Sequence, residues 1–92
     1  MDIKGIIEKM LKEIGREKKR GRASGLCGIS GRIIPNTYNW YAFHELMERE
    51  FIKAGNKIYG YYWFSVSDDS IEAWYAPRIE FLRKWLDDLN NN

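Results

Sequence analysis

The 92-residue chain holds one cysteine, one histidine and two prolines, and each shortage removes a class of explanation. Cys27 has no second cysteine to pair with inside the chain. Small secreted domains usually depend on several bridges or a bound metal, so the expected place is the cytoplasm. The histidine is equally alone. "HELME" at 44–48 opens like the His-Glu-x-x-His helix of zinc proteases but lacks its second histidine. Glu48 lies one turn beyond His44, and Cys27 alone cannot complete a ligand set, so neither metal nor cofactor is expected. His44 reads as a hydrogen-bonded histidine at the edge of the core. Paired acids, and a nucleophile beside its base, are also missing, which points to a binding protein and away from an enzyme.

Long apolar runs are absent too. Nothing approaches the roughly 20 residues a membrane span needs. The opening "MDIKGIIEKMLKEIG" is broken by Lys4, Glu8, Lys9, Lys12 and Glu13, which a signal peptide's apolar block would not tolerate. Its polar side mixes Glu with Lys, unlike the Lys-rich face of a membrane-surface helix.

Aromatic rings and a lopsided charge distribution are abundant. Four Trp, six Tyr and four Phe suit a single small domain, which buries only about 60 to 65% of its unfolded surface and gains more apolar area from a ring than from an aliphatic chain. Self-association is a second outlet for them, so a homo-oligomer is expected, most simply a dimer. The net charge is +2, but residues 16–32 carry six basic groups and one acidic, whereas residues 33–92 carry six basic and nine acidic. "REKKRGR" at 16–22 therefore suits an anion, while the acidic remainder does not extend a nucleic-acid footprint. Its plain alternative is a solvated linker.

Periodicity predicts a mainly α domain: three helices near 2–20, 38–54 and 77–89, a short helical turn near 25–30, and an aromatic loop or β-hairpin before the last helix. The segments divide as an amphipathic helix (1–15), a basic leader (16–24), a core (25–89) and a frayed tail (90–92). Ile3, Ile6, Ile7, Met10, Leu11 and Ile14 form one stripe behind an Asp2 cap. Trp40, Phe43, Met47, Phe51 and Ala54 form a second, capped by Thr37 or Asn39 and stopped at Gly55. Gly25, Gly28 and Gly31 recur every third residue. They match neither a P-loop nor a dinucleotide fingerprint, and Leu-Cys and Ile-Ser make poor clamps for a KH-type loop, so close backbone packing is expected of them. Lys57–Val66 suits a strand that "SDDS" turns into a second strand at Ile71–Tyr75, and Pro77 then opens the last helix, with Ile79, Leu82, Trp85, Leu86 and Leu89 inward.

"GLC" at 25–27, "YWF" at 62–64 and "RIEFLRKWL" at 78–86, in that order, resemble a family of small tailed-phage and prophage accessory proteins of undescribed function. The resemblance covers roughly residues 24–88; the basic leader and a longer stretch between Phe64 and Arg78 depart from it. It implies a phage protein acting in the cytoplasm of the bacterial host and implies no chemistry. Small proteins of that kind often bind a host component, either a nucleotide immune signal or a defence protein or nuclease.

The residues select a candidate site of their own. A cation directly after Pro77 would stand in a helix's first turn, where the macrodipole favours acids, and broken local rules gather at functional sites. Arg78 is thus the expected phosphate anchor, with Tyr62, Trp63, Trp74 and Tyr75 as stacking or wall residues for an anionic nucleotide-type ligand. The structural alternative pairs Arg78 with Asp68, Asp69 or Glu72 and stacks it on a core ring. Inhibition of a host defence protein, or nucleic-acid binding, is the alternative function.

Overall fold

The computed structural model describes residues 1–55 and 70–91. They form four helices, α1 (Ile3–Arg20), α2 (Leu26–Ile33), α3 (Thr37–Lys53) and α4 (Ile71–Asn90). No strand occurs among the described residues. None of the described helices is long and apolar enough to cross a membrane.

Asp2 caps α1 by accepting from the Gly5 N–H at 3.0 Å. Gly15 does not end the helix, and the basic run Arg16–Arg20 is its last turns, with Lys18, Lys19 and Arg20 set against the negative pole of the helix dipole. Gly21 closes it with a left-handed backbone, φ 70°. The Arg22 N–H then reaches back to the Glu17 carbonyl, which satisfies an orphan acceptor of the last turn.

The short turn expected at 25–30 is an eight-residue helix with Gly25 as its cap. The glycine reading is corrected as well: among the described residues, a Cβ at Gly25 or Gly28 would meet nothing within 4 Å, and one at Gly31 would lie 3.5 Å from Trp40 Nε1, an ordinary contact. Among the described residues no backbone presses against this face. Asn36 caps α3 by accepting from the Asn39 N–H, in place of the expected Thr37 or Asn39. Ala54 ends that helix ahead of Gly55, whose φ is 86°.

α4 begins well before Pro77. Its N-cap is Ser70, whose hydroxyl accepts from the Ala73 N–H, so Ile71–Tyr75 is the first stretch of a helix and not the second arm of a hairpin. Pro77 lies inside α4, not at its start. The remaining arm of the expected hairpin falls outside the described residues. Ile71, Trp74, Tyr75, Arg78, Leu82 and Trp85 recur at three-and-four spacing, and all but the partly buried Ile71 are buried; that period prevails over the local strand preference of the rings.

All four helices contribute to one core. Ile7, Met10 and Ile14 of α1, Leu26 and Ile29 of α2, Phe43 and Met47 of α3, and Tyr75 and Leu82 of α4 are almost wholly buried. A row of rings joins α3 to α4: Phe43 stacks on Trp85 at 5.7 Å, Trp85 on Phe81 at 5.8 Å, and Phe51 meets Phe81 edge-on at 5.0 Å. Such pairs add about 0.5 to 1.5 kcal/mol each beyond the area they bury. Much of the ring surplus in the sequence is thereby absorbed by the core.

Candidate functional site

Of the five residues singled out from sequence, the structure describes three, and all three are buried. Tyr62 and Trp63 lie outside the described residues. Trp74, Tyr75 and Arg78 are together, but inside. Arg78 is 4% exposed; its guanidinium lies 3.7 Å from the centre of the Trp74 ring and donates to the Trp74 carbonyl at 2.7 Å. It sits two turns into α4, away from the helix start at which a free anion-binding corner was expected. Of its expected carboxylate partners, Glu72 instead pairs with Lys18 of α1 at 3.0 Å.

Trp74 and Tyr75 bind the connection between α1 and α2. The Tyr75 hydroxyl donates to the Arg22 carbonyl at 2.6 Å and accepts from the Ser24 N–H at 2.8 Å. Trp74 Nε1 donates to the Ser24 carbonyl at 3.0 Å. Three backbone groups of the connection are thereby satisfied by two rings of α4, an arrangement that holds both rings inside and away from a ligand.

Cations that do face solvent gather on α1 and α2. Lys9, Lys12, Arg16 and Arg20 recur along one side of α1 at three-and-four spacing, and Arg32 joins them from the last turn of α2. With Glu13 and Ile33, four of them line a groove of about 410 Å³. Three guanidinium groups converge on one carboxylate: Glu13 receives Arg16 at 2.8 Å, Arg32 at 3.6 Å and Arg20 at 3.9 Å. Arg32 also binds Glu17, which Arg20 approaches at 3.7 Å. Three arginines bring many more N–H donors than two carboxylates have acceptor sites for. Donors therefore remain for an anion, with Lys9 and Lys12 on the rim. Another hollow, of about 550 Å³ along α4, is lined by Glu72, Glu80 and Asp87 against Arg83 and Lys84, so its charge does not favour anions.

Glu17 lies buried beside the groove and outside its lining, and it holds Arg32. Its side chain is fully buried, and its Oε2 has no hydrogen-bond partner among the described residues. Burial works to raise its carboxyl, but the hydrogen bond and charge of Arg32, with the charges of Arg22 and Arg20, prevail and hold it below the usual carboxylate range. An ionised Glu17 fixes Arg32 against α1, and so fixes the groove's two walls together.

Cys27, His44 and Glu48, set aside in the sequence as an incomplete metal set, come together in the fold, and the cysteine and histidine stand as a thiol beside a base. Cys27 Sγ of α2 lies 3.3 Å from His44 Nδ1 of α3, and His44 Nε2 lies 3.6 Å from Glu48 Oε2. The Trp40 ring stacks on the imidazole, centroids 5.3 Å apart, and Trp40 Nε1 donates to Ser30 Oγ at 3.1 Å. A cysteine and a histidine 17 residues apart carry no motif, so only the crossing of α2 over α3 reveals them. The one signal in the sequence is the His44–Glu48 spacing, which by itself suggests nothing but an incomplete metal motif. Among the described residues there is no group of three or more His, Cys, Asp or Glu placed to hold a metal ion. Compared with protein-family models, curated proteins and solved structures, the chain matches none.

Proposed function

We propose that the protein captures a small phosphate-bearing anion of nucleotide type, without turnover, in the groove between α1 and α2. The observation that carries this reading is the convergence of Arg16, Arg20 and Arg32 on the single Glu13 carboxylate. A phosphate group placed there takes over contacts already arranged for an oxyanion, and the arginines are held in place beforehand by Glu13 and Glu17. In a phage accessory protein, which the sequence resemblance implies, the ligand would be a nucleotide signal of the host. Arg78, the anchor expected from sequence, is given a packing role in this reading.

A second element of the proposal is a dimer through the outer face of α3. Tyr38, Tyr41 and Ile52 are 84%, 60% and 56% exposed there, with Glu45 and Arg49 between them. A two-fold axis across this face sets Glu45 of one copy against Arg49 of the other and the tyrosines against Ile52, a self-complementary pattern.

Calorimetric titration with pyrophosphate, mononucleotides, cyclic dinucleotides and ADP-ribose tests the groove. Arg16→Ala and Arg32→Ala should each weaken the best binder by roughly 10- to 100-fold, the size of a charge-assisted hydrogen bond. Arg78→Ala should lower the melting temperature and leave binding by the folded fraction unchanged. The groove reading fails if no phosphate compound binds, or if Arg78→Ala abolishes binding while Arg16→Ala and Arg32→Ala do not. Binding of single-stranded DNA alone, with affinity falling steeply as salt rises, would replace the small ligand with a nucleic-acid backbone.

A further inference from the structure

The Cys27, His44 and Glu48 cluster lies apart from the anion groove and shares none of the residues placed there. Its geometry meets the requirement for an assisted nucleophile: a thiol within reach of a base, with the base held by a third group. His44 Nδ1 faces the sulfur at 3.3 Å and Nε2 faces the Glu48 carboxylate at 3.6 Å, so the two ring nitrogens serve different partners. The Trp40 stack fixes the ring plane.

The backbone around the sulfur adds the second half of a site. Cys27 is the second residue of α2, and the N-cap, Gly25, has no side chain with which to cover the first-turn amides. Helix formation leaves the N–H groups of such a turn without intrahelical partners, and the dipole there favours negative charge. Among the described residues, a Cβ at Gly25 or Gly28, the glycines that flank this turn, would meet no atom within 4 Å. Cys27 itself is only partly buried. The oxygen of a carbonyl group brought to the sulfur would meet the positive pole of α2.

We propose that Cys27 is a base-assisted nucleophile that accepts an acyl group from an activated ester or thioester, with His44 as the base and Glu48 as the residue that positions it. Sγ attacks the carbonyl carbon as the thiol proton passes to His44 Nδ1. The oxyanion faces the first-turn amides of α2. Collapse breaks the bond to the leaving alkoxide or thiolate and leaves a thioester on Cys27, and His44 returns its proton to the leaving group or to water. No electrons change hands. Burial and the charge of Glu48 push the thiol up to about 11, so at neutral pH the sulfur is protonated and the base must act during attack, as it does for a serine nucleophile.

The test uses the full chain and p-nitrophenyl acetate at neutral pH. The expected result is a burst approaching one equivalent of p-nitrophenolate, with one acetyl group located on Cys27 by peptide mass spectrometry. Acetylation should be at least tenfold faster than that of Cys27 in the urea-unfolded chain. Cys27→Ala should lose the burst and the modification at that position. His44→Gly should slow it tenfold or more, with added imidazole restoring the rate, which a purely structural histidine would not allow. Glu48→Gln should give an intermediate rate that imidazole does not restore. A native rate no higher than the unfolded one overturns the proposal whether or not the variants fold. So does a folded His44→Gly or His44→Asn variant that reacts like the parent.

Discussion

At the scale of single residues, the most consequential side chains are polar groups held inside. Tyr75 is fully buried, and its hydroxyl serves both the Arg22 carbonyl and the Ser24 N–H. Tyr75→Phe keeps the ring and removes both bonds, so urea unfolding should show a loss of about 1 to 3 kcal/mol with an unchanged m-value. Glu17 carries a pH dependence. Its folded carboxyl titrates below the ordinary value of 4.5, so its contribution is present above that value and is lost as pH falls through the lower, folded one. Melting temperatures followed from pH 6 downward should fall less steeply in Glu17→Gln than in the parent, and equal slopes would refute this. Glu17 is legible in the sequence, since it continues the spacing of Ile7, Met10 and Ile14. A carboxylate on the inward stripe requires a cation from another element. What the sequence does not contain is which cation, because Arg32 reaches it only through the packing of α2 on α1.

At the scale of helices, the termini of α1 and the extents of α3 are readable because their stripes, their breakers and the Asp2 cap agree. For α4 the signals conflict. Aromatic residues favour strands and proline favours a first turn, so Ile71–Ala76 reads locally as strand and turn. The period running from Ile71 to Trp85 and the cap at Ser70 point to a helix, and burial of that face decides the matter. Pro77 then stands where an interior N–H would have bonded to the Ala73 carbonyl, at a cost of up to about 3 kcal/mol. Pro77→Ala should therefore stabilise the fold by about 1 to 3 kcal/mol in urea, and a destabilised variant would mean that the proline ring is a needed packing element. The same misplaced helix start makes Arg78 look like an exposed anchor, whereas the α1 cations, which in sequence resemble a leader, form a wall of the groove.

At the scale of the molecule, the two surfaces that carry the functional reading point outward from different helices, the anion groove from α1 and α2 and the tyrosine face from α3. Light scattering should report a dimer of the parent chain. Arg49→Glu should dissociate it by opposing like charges, and the swap Glu45→Arg with Arg49→Glu should restore it. A parent chain that remains monomeric at high micromolar concentration removes the dimer and leaves the groove untouched.

The packing of α1 directly on α4 also governs how the chain is made. Ribosomes add about 5 to 20 residues per second, so roughly 3 to 10 seconds separate the synthesis of Arg20, at the end of α1, from that of Ser70, the cap of α4. Throughout that interval the inward stripe of α1 has no α4 to lie against, and Arg22 and Ser24 await the rings that will hold them. The native state is thus completed late, and a nascent chain halted before Tyr75 exposes an apolar, cation-bearing helix that invites chaperones or the ribosome's own RNA.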